Sequence, residues 1–374
     1  MYKLAFIGGG INSIAGYPHF IASQMDKRFE VVAGVFSTNN KINQDTAKRW
    51  NISQVYSSYQ ELIEYEKENI DACVILTPTP QHCEIITFLL SHNIPIICEK
   101  PLVSSIEEIE SIQKIYDPSK HFLVVTNNYS GYPMLRELQE KIKNDELGKV
   151  LHIRLQMPQE SFLRPPRSVK YPQPWRLKDG FIPMISLDLG AHLHHLAYFL
   201  IQKEPEKVFA TYDSFSKYGV IDDVNMRLEY KSGIKGNFWI SKTSLGNRNG
   251  LHIEIYGEKA SAIWHQENPE KLEFSYFSGQ KVIIDRGSDI EMIPNHLYNR
   301  MTPGHPSGYI EAFANLYNDI ANSLDDFKSG KQYINNNVYG FENSLQGIVL
   351  LQSATISNQN KSWVSLRCNA TKTS

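Results

Sequence analysis

Residues 187–200 read LDLGAHLHHLAYFL and place Asp188, His192, His194 and His195 within eight positions. Carboxylate and imidazole at this density suit a metal site, an acid–base pair or the polar face of an ordinary helix. If the stretch is helical from near Asp188, then Asp188, His192 and His195 fall at i, i+4 and i+7 on one face. His194 is two residues from His192, about 200° around at ~100° per residue, and points away. The three histidines therefore do not share one ion. His192, His195 and Asp188 have the spacing for three ligands, so geometry does not exclude a metal. No fourth ligand or open-site motif accompanies them, and no metal is assigned. Any one histidine taken alone is better explained as a satisfied helix residue.

A second chemical position is Glu99-Lys100-Pro101, which closes an apolar run at PIICEKP, residues 95–101. A lysine at a strand end, flanked by a carboxylate and pinned by a proline, can point at a ligand. The neighbouring run DACVILTP, residues 71–78, ends in Thr77-Pro78-Thr79-Pro80-Gln81-His82. Polar groups therefore converge at the ends of two apolar runs. In an open parallel sheet, those ends are where ligands bind.

The elements that must carry these groups alternate. KLAFIGGG (3–10), FEVVAGVFS (29–37), DACVILTP, PIICEKP and HFLVVTNN (121–128) are short apolar runs rich in Val and Ile. Amphipathic stretches separate most of them. One is HCEIITFLLSHN, residues 82–93, with Ile85, Ile86, Leu89 and Leu90 at helical spacing. Continuous apolar strands divided by helices imply a parallel sheet covered on both faces.

The turn after the first run, Gly8-Gly9-Gly10-Ile11-Asn12-Ser13, fits G-x-G-x-x-small. Gly8 permits the tight turn, Gly10 lets the backbone approach a pyrophosphate, and Ser13 stands as the third small residue. The pyrophosphate is expected at the helix N-terminus, near Ile11 and Asn12. Pro18 lies where the first helix should run, so the helix starts late or kinks there. An acidic residue after the second run would bind the ribose of NAD. The sequence has Phe36-Ser37-Thr38-Asn39-Asn40-Lys41 instead. Ser37, Thr38 and Lys41 suit the extra phosphate of NADP or a plain ribose, leaving the cofactor as NAD or NADP.

From about residue 129 the pattern changes. Helical MLRELQEKIKND precedes strand candidates VLHIRLQM, KVFATYDSF, VNMRLEYKS, IKGNFWISKT, LHIEIYG, SAIWHQ, KLEFSYF and KVIIDR. Several alternate polar and apolar residues, as in an antiparallel sheet with one face exposed. The fold class expected is α/β, with a doubly wound parallel Rossmann sheet over residues 1–128. An α+β domain with a large, mostly antiparallel open sheet follows over 129–374.

The order of motifs is itself informative: the Rossmann opening, TPTPQH, EKP, NNYSGYP, PWR and DLGAH. It resembles the Gfo/Idh/MocA oxidoreductases, the family of glucose–fructose oxidoreductase and inositol dehydrogenase, over nearly the whole chain. Residues 255–272 and 303–321 resemble the branch that includes levoglucosan dehydrogenase. The resemblance implies NAD(P)-dependent oxidation of a secondary alcohol on a sugar, anhydrosugar, cyclitol or nucleotide sugar, with NAD slightly favoured by the branch. It implies His192 as base, Lys100 as stabiliser of the developing alkoxide, and Asp188 in support. It places Thr77, Pro78, His82, Glu99, Lys100, Asn127 or Asn128, Trp175 and Arg176 at the cofactor. It places Tyr129, His305 and Tyr309 at the substrate, with His195 meeting either the substrate or the packing partners of its helix. His195 departs from the acidic or amide residue of many relatives, and His194 is left as structural. Dimers or tetramers are the family expectation.

Two other functions fit the same residues. One is an NAD-dependent glycosidase using transient oxidation; the other is a regulatory protein that binds dinucleotide without catalysis. Lys100, Asp188 and His192 favour an enzyme.

The rest of the chain sets bounds. Its 374 residues suffice for two domains, and 38 basic against 40 acidic residues give a net charge of −2. That balance offers no bulk attraction to nucleic acid or an anionic membrane. No apolar run reaches the roughly 20 residues of a bilayer span, and the N-terminus lacks the long apolar region of a secretory signal. A cytoplasmic protein is expected. Cys73, Cys83, Cys98 and Cys368 form no Cys-x-x-Cys pair and read as reduced thiols. Residues 156–174, polar and proline-rich, read as a lid or crossing loop in which Arg164 or Arg167 could meet a phosphate.

Overall fold

A computed structural model describes residues 1–165, 172–289 and 300–366. The chain forms two compact units, Met1–Gly131 with Gly308–Ser344, and Tyr132–Ser307 with Leu345–Ser374.

The first stretch alternates β1 (Tyr2–Gly8), α1 (Gly16–Met25), β2 (Phe29–Val35), α2 (Asn40–Trp50), β3 (Gln54–Val55) and α3 (Tyr59–Glu66). It continues through β4 (Ala72–Leu76), α4 (His82–Ser91), β5 (Ile96–Cys98), α5 (Ile106–Gln113) and β6 (Leu123–Val125). The helix starts are written in short polar residues. Asn39, Ser58 and Ser105 accept from the backbone N–H of Ile42, Glu61 and Glu108 to cap α2, α3 and α5.

The second unit contains α6 (Pro133–Lys143), β7 (Val150–Pro158), α7 (Ala191–Ile201), β8 (Pro205–Asp213) and β9 (Asp223–Tyr230). Then come β10 (Lys235–Ser241), β11 (His252–Gly257), β12 (Ala260–His265), β13 (Leu272–Tyr276) and β14 (Lys281–Ile284). The last stretch has α8 (Tyr309–Lys328), β15 (Tyr339–Gly340), α9 (Phe341–Asn360) and β16 (Val364–Ser365).

The first sheet has the order β15-β6-β5-β4-β1-β2-β3, parallel except for β15. It is the expected doubly wound Rossmann sheet. Its core gathers Leu4, Phe6, Val74, Ile97 and Val124 with Phe313, Leu316, Tyr317 and Ile320 of α8. The amphipathic stripe of α8 is thus buried in the first unit. A split of the sequence at 128/129 has no counterpart to this return, because a helix's periodicity shows that it has a buried face but not what covers it.

The second sheet has the order β14-β13-β12-β11-β7-β10-β9-β8-β16. Among the described residues only β7 and β10 pair in parallel. Inward residues alternate, as Ile153 and Leu155 on β7 or Phe238 and Ile240 on β10, which is the one-sided burial the alternation predicts. Among the described residues no helix is long and apolar enough to cross a membrane.

Candidate active site

In the first unit the ends of β1, β4, β5 and β6 present the candidate residues. Gly8 turns with φ +86°, and a Cβ there would lie 2.8 Å from the Leu76 carbonyl carbon and the Thr77 nitrogen. The third small position is Gly16, not Ser13. A Cβ on Gly16 would sit 1.7 Å from the Gly9 carbonyl oxygen, whereas Ser13 lies in the loop and accepts from the Gly16 N–H at 3.3 Å. The loop is three residues longer than the motif assumes, so α1 starts at Gly16 and Pro18 falls in its first turn, where no amide partner is lost. The Ile11 N–H donates to Thr46 Oγ1 at 3.1 Å, and the Ile11 and Asn12 side chains are exposed.

After β2, the Ser37 hydroxyl accepts from the Asn39 N–H at 3.1 Å. Thr38 and Lys41 are exposed, and the first turn of α2 holds no carboxylate. After β4, Thr77 is half-buried and Pro78 exposed. His82, expected at the cofactor, is enclosed. Its Nε2 faces the Thr77 carbonyl at 2.9 Å and its Nδ1 the Pro101 carbonyl at 3.0 Å. Its ring ties the ends of β4 and β5 together, and burial lowers its pKa.

Lys100 is half-buried directly after Glu99. Glu99 is fixed by residues the sequence reading passed over. His19 Nε2 lies 3.0 Å from Glu99 Oε1, the Thr126 hydroxyl donates to the same oxygen at 3.1 Å, and the Tyr317 hydroxyl meets His19 Nδ1 at 2.7 Å. Burial raises the Glu99 pKa, but the His19 hydrogen bond and the charges of His19 and Lys100 outweigh it, so the carboxyl stays below its ordinary value. A depressed folded-state pKa contributes stability that is present above the unfolded value of 4.5 and is lost as pH falls through the folded one. Chemical denaturation between about pH 5.5 and 3.5 should therefore show a shallower loss of stability in Glu99→Gln than in the parent.

Asn127 and Asn128 are buried after β6. Tyr129, also buried, meets Tyr309 edge-on with ring centroids 6.2 Å apart, so two of the expected substrate residues are together in this unit.

In the second unit a π-helical turn, Ser186–Gly190, leads into α7 and carries Asp188. Such wide turns occur frequently at functional sites. Arg176 Nη1 lies 2.6 Å and Lys242 Nζ 2.7 Å from the same oxygen, Asp188 Oδ2. Arg176, expected at the cofactor, is thus engaged with the carboxylate, its guanidinium 4.4 Å over the half-buried Trp175 ring. His192 follows Asp188 by four residues and is 6% exposed. His194 is structural as expected, its Nε2 2.8 Å from Glu204 Oε2. His195 is buried beside the Phe199 ring.

Lys242 was not foreseen. Its signal is register: Phe238 and Ile240 point inward on β10, and Lys242 continues that parity past the strand end. His305 is exposed, with Nδ1 3.2 Å from the Thr302 hydroxyl, and Arg164 is exposed 3.8 Å from Glu160. Arg167 and Cys368 lie outside the described residues. Burial raises the thiol pKa values of Cys73 and Cys98. Among the described residues no group of three His, Cys, Asp or Glu could hold a metal ion.

Two family models match the chain. Residues 2–142 match the oxidoreductase family with an NAD-binding Rossmann fold, and 135–263 match the GFO/IDH/MocA C-terminal domain. The oxidoreductase YfiI of Bacillus subtilis is 26% identical over 381 residues, 98% of this chain and 97% of its own. An inositol dehydrogenase homolog from Azotobacter vinelandii, solved with NAD+, shares the fold with TM-score 0.90 at 24% identity, covering 97% of each chain. Levoglucosan dehydrogenase, solved with NADH and levoglucosan, shares it with TM-score 0.84 at 20% identity, covering 98% of this chain and all of its own (100%).

Proposed function

The chain belongs to the Gfo/Idh/MocA oxidoreductases, and from that membership we propose that it oxidises a secondary alcohol of a cyclitol, sugar or anhydrosugar, with His192 as the base. It is an NAD(P)-dependent oxidoreductase. The substrate class rests on relatives whose structures hold myo-inositol or levoglucosan. The observation that carries the assignment of roles is Asp188, held by two cations in a π-turn one helical turn before His192.

The residues present fit a dinucleotide. Ala15 supplies no capping side chain to α1, and Gly8, Gly9 and Gly10 leave the start of the turn before it without Cβ atoms. Gly8, Gly10, Ile11 and Asn12, in the turn that leads to this N-terminus, would line the pyrophosphate. Ser37, Thr38 and Lys41 would meet the adenosine ribose. Thr77, Pro78, Glu99, Lys100 and Asn128 would meet the nicotinamide half. Bound, the cofactor supplies the hydride acceptor. His192 takes the hydroxyl proton, Asp188 stabilises the resulting imidazolium, and the Lys100 ammonium stabilises charge developing on the substrate oxygen.

The test is the rise in reduced-nicotinamide absorbance with NAD or NADP and a panel of cyclitols, hexoses and anhydrosugars. A rise with one class supports the reading. Sugar release without net cofactor reduction, or cofactor binding without turnover, overturns it.

With no carboxylate after β2 and Lys41 in the first turn of α2, discrimination between NAD and NADP should be within about tenfold in kcat/KM. Ser37→Asp should raise the KM for NADP about fivefold or more while sparing NAD, because a like charge at ~4 Å costs at least about 1 kcal/mol. Steady-state kinetics with both cofactors checks this.

A further inference from the structure

We propose that Lys242 is a positioning residue for this reaction: with Arg176 it holds the Asp188 carboxylate and limits how much of its charge acts on His192. The inference deepens the proposed function and rests on it.

Lys242 is 4% exposed, with Nζ 2.7 Å from Asp188 Oδ2 and 3.5 Å from Gln159 Oε1. Its ammonium also lies 5.7 Å from the centre of the Phe162 ring. An enclosed ammonium is costly unless it is paired and hydrogen-bonded. At an inward register that otherwise holds Phe238 and Ile240, an apolar residue would fill the space without that cost. One cation already serves Asp188, since Arg176 lies at 2.6 Å. The second places another positive charge on the same carboxylate oxygen.

Among the described residues, the acidic groups of the surrounding elements have partners of their own. Glu160, after β7, meets Arg248 at 2.8 Å and Arg164 at 3.8 Å. Asp179 accepts from the Met184 and Ile221 amides, and Asp222, before β9, from the Phe215 and Ser216 amides. Asp223 accepts from the Trp239 indole, and Glu204 faces His194. Among the described residues, Arg176 and Lys242 are the cations seated on Asp188 Oδ2, and both act on the charge it presents to the following helical turn.

An aspartate relieved of one cation supports an imidazolium more strongly and makes His192 harder to deprotonate. Since the base must start neutral, removing Lys242 should move the acidic limb of the kcat/KM profile to higher pH. Coulomb's law at roughly 8 Å and an effective dielectric of roughly 40 gives a displacement of about half to one pH unit. The experiment compares Lys242→Met and Lys242→Arg with the parent across about pH 5.5–9 at saturating cofactor. The expected result is an upward-shifted limb in Lys242→Met that Lys242→Arg returns toward the parental position. A drop by the same factor at every pH, with the limb unmoved, would overturn the proposal and leave Lys242 a structural residue.

Should the parent turn over no substrate, the reading of the reaction fails, and the positioning claim is still decided by NMR. Titration of the His192 ring, assigned with His192→Gln, should show a higher midpoint in Lys242→Met than in the parent. Equal midpoints in two folded proteins would overturn it.

Discussion

Replacing His192 with alanine is expected to lower kcat/KM by about 10²–10⁴ while leaving the dissociation constant of the cofactor within about twofold of the parent. The two halves of this result come from different places in the chain. The dinucleotide elements, from the Gly8 turn to Lys100, lie in the first unit, while His192 lies on α7 in the second. Loss of a general base removes a proton acceptor needed only in the reaction, so kcat should fall more than KM rises. Stopped absorbance assays and fluorescence titration of the reduced cofactor separate the two quantities. Parental turnover in a folded His192→Ala protein would eliminate His192 as the base. A fall in cofactor affinity matching the fall in turnover would indicate a structural loss.

Gly16→Ala should be the most damaging single change in the first unit. The added methyl would be placed 1.7 Å from the Gly9 carbonyl oxygen, and both partners are backbone, so no side-chain rotation relieves the overlap. Either α1 or the turn before it must move. We expect a loss of about 3 kcal/mol or more in unfolding free energy and a melting temperature lower by roughly 10 °C. Cofactor affinity should fall at least tenfold even where the protein stays folded, because the helix N-terminus moves away from the pyrophosphate position. Calorimetry and cofactor titration check the two arms. Ser13→Ala is the matched control: it removes one 3.3 Å contact to the Gly16 amide and should change the melting temperature little.

The contrast between Gly16 and Ser13 shows what was legible in the sequence. Apolar runs located β1, β2, β4, β5 and β6, because a buried parallel strand must be apolar on both faces. The two-residue strand Gln54–Val55 is too short to carry a pattern. The glycine motif gave the turn but misplaced its third member, since spacing in one sequence cannot reveal a lengthened loop. Lys100, Asp188 and His192 were singled out through motif order. Contacts made only by folding were not found: His19 with Glu99, 80 residues apart, and Lys242 with Asp188, 54 apart, have no local signature. Arg176 was noticed, but not its ion pair with Asp188, because a Trp-Arg pair advertises a cation without saying which anion it meets.

The interleaving of the two units bears on how the chain is made. Residues 132–307 emerge from the ribosome before α8 exists, yet the first unit needs Phe313, Leu316 and Ile320 to complete its core, and Tyr317 to engage His19. The second unit in turn waits for Leu345 onward. Neither unit can close before its closing segment, in the last fifth of the chain, has been synthesised. The N-terminal-first order usual for tandem domains is therefore unavailable. The early strands β1, β4 and β5 are made well before the α8 residues that share their core.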